Sequence, residues 1–181
     1  NKERSKIDIN QIIGKNKALI SVFAGSRKSE INVLMPILLD FIKLMNEKYS
    51  DMTYVFHSTK EYSELTKSFI NESKLSNCET VSDDKIKSHI LQKSIFAVAK
   101  SGTISLEISN AKIPSIIIYK MSFINFLIVK NLVKTKYANI INFAAKEEVI
   151  PELIQSNCNS KNIFKNVSIF LENPNKIKEQ V

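Results

Sequence analysis

The residues best suited to chemistry in this chain lie in two short polar turns. Ser101-Gly102-Thr103 follows an apolar run at 95–99 and precedes a helical pattern. The first N–H groups of a helix have no partner inside it, and glycine among them lets an anion approach the backbone closely. Glu107 stands four residues after Thr103, one turn along the same helix face. A diphosphate held at the helix start would bring an attached ribose near that carboxylate. The structural alternative is that Ser101 or Thr103 caps the helix and Glu107 is a solvated first-turn acid. Ala24-Gly25-Ser26-Arg27 is a second turn of this kind, directly after the apolar run 18–24. Arg27 can hold a phosphate through two bonds, or can stand as a surface arginine beside Glu30.

Other sites are missing from the sequence. There is no G-x-G-x-x-G and no G-x-x-x-x-G-K-[ST], which weakens dinucleotide and P-loop readings. Asp83-Asp84 is not a D-x-D pair and reads as a helix start. His57 and His89 are isolated, with no Cys or His at metal spacing, and are not expected to be ligands. No Ser-His-Asp arrangement suggests itself. Glycine occurs only as Gly14, Gly25 and Gly102. A chain this poor in glycine should keep it mainly where no other residue fits.

The elements that position the turns follow from apolar patterning. Residues 18–24, 52–57, 78–82, 95–99 and 115–119 read as strands. Helices are expected over about 30–48, 60–73 and 84–93, and a short one stops before Pro114. A strongly apolar helix is expected over 123–134, a brief strand near 139–142, and a helical tail from about 147. Residues 1–17 read as a connector with a short helix, 18–160 as the ligand-binding domain, and 161–181 as a C-terminal helical tail. Apolar strands alternating with helices give an α/β fold with a doubly wound parallel sheet. Such sheets bind ligands beyond their strand carboxyl ends, where the strand order reverses. Both glycine turns fall at such ends.

With 181 residues, 44% hydrophobic and 24% charged, the chain has the make-up of about one globular domain. Two cysteines, Cys78 and Cys158, cannot form a disulfide scaffold, and Cys78 reads as a small core residue. No apolar run reaches ~18 residues without a charge. The net charge of +8 comes from 24 Lys and 2 Arg against 18 acids. Abundant Ile, Lys and Asn point to composition bias as its main source, which makes Arg27 the more informative. The chain opens on Asn1 without a signal peptide and reads as starting within a longer protein.

Taken together, the motifs resemble one family. Ala24-Gly25-Ser26-Arg27-x-x-Glu30-Ile31 with Met35-Pro36 resembles the start of the C-terminal half of lipid-A-disaccharide synthases. Ala99-x-Ser101-Gly102-Thr103-x-x-Leu106-Glu107 resembles their second motif, and Pro114-x-x-x-x-Tyr119-Lys120 the strand after it. Leu132-Val133-Lys134-Thr135-x-Tyr137 resembles a further segment. Asn142 and Pro151-Glu152-Leu153-Ile154-Gln155 resemble the closing motif. The match covers about residues 1–160 in order and spacing. Two departures stand out: Ile140-Ile141-Asn142 where the family has Leu-Pro-Asn, and Lys146 where a glycine is common.

The resemblance implies the C-terminal, Rossmann-like domain of a GT-B glycosyltransferase. It implies transfer of 2,3-diacylglucosamine from UDP to 2,3-diacylglucosamine 1-phosphate, without a metal or other cofactor. The location implied is the cytoplasmic face of the inner membrane of a Gram-negative cell, with peripheral membrane association. By resemblance, Gly25, Ser26, Arg27, Ser101, Gly102 and Thr103 face the diphosphate, with Arg27 stabilising the leaving group. Glu107 holds the ribose, and Asn142, Glu152 and Gln155 line the donor site. The uracil is expected near Val81 and Ser82. The acceptor site and the base belong to an N-terminal domain outside this chain. The lysine-bearing stretch 120–137 reads either as an interfacial segment or as a buried helix. The rivals are a UDP-sugar epimerase of the same fold and a basic nucleic-acid-binding module. The second is disfavoured because the aromatics fall at core periodicity.

Overall fold

The computed structural model describes residues 18–121 and 137–181. The strands are β1 Ala18–Phe23, β2 Met52–His57, β3 Cys78–Val81, β4 Phe96–Lys100, β5 Ser115–Tyr119 and β6 Glu152–Ile154. The helices are α1 Lys28–Lys48, α2 Ser63–Ser73, α3 Asp84–Lys93, α4 Ile104–Asn110, α5 Ile140–Ala145, α6 Ser160–Glu172 and α7 Pro174–Gln180. The strands form one sheet of order β3-β2-β1-β4-β5-β6, and every pair is parallel. The expected doubly wound α/β fold is therefore present. The order reverses between β1 and β4, which pair with Phe23 opposite Ala99.

The sheet is apolar on both faces, as a parallel sheet covered by helices must be. On one face Ile20, Val22, Tyr54, Phe56, Phe96 and Val98 pack with Leu34, Leu38, Ile42 and Met45 of α1 and Val167 and Phe170 of α6. On the other, Leu19, Val55 and Val81 meet Ile90 of α3, while Phe23, Ala97, Ala99 and Ile117 meet Leu91 and Ile108. The helical tail is part of this body. Glu172 accepts from Tyr49 Oη at 2.6 Å and pairs with Lys48, fastening the end of α6 to the end of α1. Gln180 bonds both the N–H and the C=O of Ser115, at 2.7 and 2.8 Å.

Two expected elements differ. Residues 139–142, read as a strand from Ile140-Ile141, begin α5 instead. Asn139 caps it, its Oδ1 accepting from Ile141 N at 2.7 Å, and a well-made cap outweighs the modest strand preference of two isoleucines. The tail is not helical from 147, because Glu152–Ile154 adds β6 beside β5. Pro151 stands just before that edge strand, where its missing N–H costs no ladder bond, and its carbonyl accepts from Ile117 N at 2.9 Å. The connector expected at 1–17 and the apolar helix at 123–134 lie outside the described residues. Among the described residues no helix is long and apolar enough to cross a membrane.

Candidate functional site

A cavity of about 500 Å³ opens beyond the carboxyl ends of β1, β2, β3 and β4. Gly25 and Ser26 line it from β1. His57, Ser58, Thr59 and Lys60 line it from β2, and Ser82, Asp84 and Lys87 from β3 and α3. Lys100, Ser101, Gly102, Thr103 and Ile104 close it from β4. The two glycine turns predicted to share a crevice do share one, at the switch point of the sheet.

The β1 turn is held by Glu30. Its Oε2 accepts from Ser26 N at 3.0 Å, and its Oε1 accepts from Arg27 Nη1 at 3.2 Å and Lys100 Nζ at 2.9 Å. Burial pushes this carboxyl up, but the bond and charge of Lys100, with help from Ser26 and Arg27, outweigh it and hold the group below its ordinary value. Lys100 also lies 5.4 Å over the Tyr119 ring. Gly25 has φ +109°, and a Cβ there would lie 2.5 Å from Glu30 Oε2 and 2.8 Å from Glu30 Cβ. Glycine is thus required by the chain's own geometry. Arg27 does not line the cavity. Its side chain is 76% exposed and salt-bridged to Glu30, so it stands outside the wall.

The β4 turn is different. Ser105 and Leu106 donate the first bonds of α4, to Gly102 O and Thr103 O, so the N–H groups of Gly102, Thr103 and Ile104 precede the ladder. Ser105 Oγ also donates to Gly102 O at 2.8 Å and tightens the turn. Ser101 is used internally: its N–H bonds Ile118 O and its hydroxyl bonds Ala138 O at 2.6 Å. Gly102 has no positive φ, and a Cβ there would meet only Lys100 O, at 3.9 Å. Among the described residues nothing demands glycine at this wall position.

Glu107 lies one turn along α4, outside the cavity lining. It pairs at 3.1 Å with Lys87, which lines the cavity and also reaches Asp84 at 3.5 Å. Asn142, Glu152 and Gln155 are not brought to the cavity; the structure spends them on loop geometry. Asn142 is fully buried; it donates to Ile150 O and Glu152 Oε1 and accepts from Ile150 N. Glu152 accepts from Ala138 N and Asn139 N at 2.7 and 3.0 Å. Gln155 accepts from Met121 N at 3.0 Å. Lys146, where the family commonly has glycine, ends α5 with φ 60°, so the left-handed turn persists without the glycine.

Sequence reasoning missed His57, Lys60, Lys87 and Lys100 as cavity residues. Three lysines among 24 carry no sequence signal, and only the strand order shows which loops converge. His57 is 7% exposed and stacks on Phe23 with ring centroids 4.4 Å apart. Burial, and secondarily the charge of Lys87, pushes its pKa down to about 3.

A family profile described as lipid-A-disaccharide synthetase matches residues 1–181. The lipid-A-disaccharide synthase of Sulfurihydrogenibium sp. (strain YO3AOP1) is 33% identical over 176 residues, 93% of this chain and 45% of that protein. That of Rickettsia prowazekii (strain Madrid E) is 34% identical over 170 residues, 93% of this chain and 44% of that protein. The chain thus spans less than half the length of these curated relatives. Among solved structures, the S. aureus MnaA–UDP complex superposes with TM-score 0.67 at 15% identity, covering 99% of this chain and 43% of that one. The UDP-GlcNAc 2-epimerase of Neisseria meningitidis bound to UDP-GlcNAc gives 0.66 at 16%, covering 96% and 42%. The C-terminal domain of a glycosyl transferase group 1 family protein from Francisella tularensis gives 0.61 at 13%, covering 96% and 87%. At these identities the likeness is one of fold, the Rossmann-like domain that GT-B transferases and these epimerases share.

Two predictions follow the geometry. Gly25→Ala should lower stability by roughly 2 kcal/mol or more, from left-handed strain and the clash with Glu30. Gly102→Ala should change it by no more than about 0.5 kcal/mol. Urea unfolding of both variants checks this, and the reverse order would contradict it. His57 supplies the pH dependence. Its folded pKa of about 3 lies below the ordinary 6.5, so the unfolded chain takes up a proton first as the pH falls. Its contribution is intact above about pH 6.5 and is lost as the pH falls towards 3. Between pH 7.5 and 5 the protein should lose roughly 2 kcal/mol, and His57→Phe should flatten that slope.

Proposed function

The chain belongs to the lipid-A-disaccharide synthetase family, and we propose that it forms the nucleotide-sugar-binding part of a glycosyltransferase of lipid A biosynthesis. The observation that carries this reading is Gly102. Among the described residues a Cβ there would meet only Lys100 O, at an ordinary 3.9 Å, yet it is one of three glycines in the chain, and it faces a cationic cavity at the switch point. A glycine that its described neighbours do not require leaves the backbone bare, which suits the close approach of a diphosphate. Lys60, Lys87 and Lys100 line the same cavity, and Arg27 stands beside it. Neighbours of the same fold hold UDP and UDP-GlcNAc, the ligand class taken over here.

In this proposal UDP-2,3-diacylglucosamine is the donor and 2,3-diacylglucosamine 1-phosphate the acceptor. As the bond from the sugar's anomeric carbon to the diphosphate breaks, negative charge grows on the leaving oxygen. Preorganised cations and backbone N–H groups aimed there stabilise that charge more than the ground state. Lys100 is suited to this because Glu30 and Tyr119 hold it in place. Arg27 has the reach to join it from the rim. Glu107 accepts from the ribose hydroxyls, and Lys87 keeps it beside the cavity. Asn142, Glu152 and Gln155 serve the donor site by fixing the loops behind it.

The base that takes the acceptor proton lies elsewhere in the full-length enzyme. Glu30 is a poor candidate, since three donors already hold its carboxylate and its pKa is lowered. The epimerase likeness rests on fold alone, whereas the curated relatives at about a third identity are synthases.

Calorimetry with UDP and with inorganic pyrophosphate tests the proposal. Lys100→Met and Arg27→Ala should each weaken both ligands by ~1.5–3 kcal/mol, as for a lost charged hydrogen bond. Glu107→Ala should weaken UDP and leave pyrophosphate unchanged. Failure of the unaltered protein to bind UDP would reject the reading.

A further inference from the structure

The lysines of the cavity answer an anion, but the wall also holds a group that an anion cannot satisfy. His57 Nε2 lies 3.0 Å from Ser21 Oγ, which lies 2.6 Å from Ser94 Oγ, and Ser94 donates to Ile90 O at 2.9 Å. Each hydroxyl has one proton. Since Ser94 gives its own to Ile90, Ser21 must donate to Ser94. Ser21 then accepts from His57, so Nε2 carries the ring proton. Nδ1 is left as a bare acceptor. Among the described residues it has no hydrogen-bond partner; it is buried, at a residue that lines the cavity. A buried acceptor left unpaired is costly.

Ser21 is fully buried and Ser94 nearly so, and stacking on Phe23 holds the ring plane. The relay therefore fixes one tautomer and one orientation in advance. We infer that His57 is a recognition residue of the donor cavity, its Nδ1 accepting a hydrogen bond from an N–H or hydroxyl of the nucleoside. The inference rests on the nucleotide-sugar reading above. The diphosphate of a nucleotide sugar carries no proton at neutral pH and cannot be the donor. The donors left are the base N–H, the ribose hydroxyls and the polar groups of the sugar, and UDP itself carries the first two. An imidazole kept neutral by burial retains that lone pair over the working pH range. His57 thus reads the nucleoside, while the lysines read the phosphates.

Nitrogen-15 NMR of the ring nitrogens tests this directly in the unaltered protein, with His89→Gln assigning the two histidines. The free protein should show His57 as the Nε2–H tautomer. Saturating UDP should shift the Nδ1 resonance in the direction of an accepted hydrogen bond, and inorganic pyrophosphate should not. The 2′-deoxy and N3-methyl forms of UDP then tell the ribose from the base, the shift surviving in one and disappearing in the other. His57→Phe, which keeps the aromatic stack, should weaken UDP about five- to tenfold and leave pyrophosphate unchanged. An Nδ1–H tautomer, or an Nδ1 resonance unmoved while UDP is bound, would overturn the inference and leave the ligand reading standing. No UDP binding at all would overturn both.

Discussion

One half-buried carboxylate joins the two halves of the sheet at the point where they diverge. Glu30 belongs to the first turn of α1, yet it holds Ser26 and Arg27 after β1 and Lys100 at the end of β4. Parallel neighbours lead their helices away on opposite sides here, and the crevice between them is where such folds take ligands. The β1–β4 ladder sets the spacing of the two turns, and Glu30 ties their polar groups together across it. It also requires glycine at position 25, where any Cβ would strike its carboxylate. The same group holds Lys100 at the cavity wall. A structural ion pair of this kind is partly shielded, so its value exceeds that of an exposed surface pair. Its main effect is to place a cation rather than to add stability.

Much of this was legible in the chain. Apolar runs on both sides of each polar turn identified the strands, because a parallel sheet buries both faces and leaves few alternatives. Gly25 and Gly102 marked the ends of β1 and β4 because glycine is otherwise nearly absent. Glu30 was visible only as the residue beside Arg27. Its role depends on Lys100, seventy residues away in sequence, and nothing local encodes that pairing. His57 looked isolated for the same reason: its partner Ser21 lies on the next strand and Ser94 behind a helix. The misread stretch at 139–142 shows the complementary limit. Two isoleucines suggested a strand, but the cap by Asn139 and the anchoring of Asn142 to Ile150 decided the conformation.

The two glycines separate structural need from functional need. One is required by Glu30 and its own backbone, the other by none of its described neighbours. The closing-motif residues fall on the structural side. Asn142 in α5, Glu152 in β6 and Gln155 just after it bond neighbouring loop backbone, so a motif shared with a family can reflect loop support as readily as ligand contact. Among the described residues the cavity presents the N–H groups at Gly102 and Thr103, Lys60, Lys87 and Lys100, and His57 with its unpartnered Nδ1. Together they form a surface with charge for phosphates and an acceptor for a nucleoside.

The central claim is that this switch-point cavity binds the nucleotide of a UDP-sugar. The most direct measurement is a backbone amide titration of the isotope-labelled chain with UDP. The account predicts that the largest shifts fall on Gly25, Ser26, Ser58, Ser82, Gly102 and Thr103, four strand ends that meet only in the folded sheet. Ser115 and Ile150, which line a separate small cavity with Gln180, should stay unmoved. Shifts centred on that second cavity, or spread without focus over the lysine-rich surface, would contradict it.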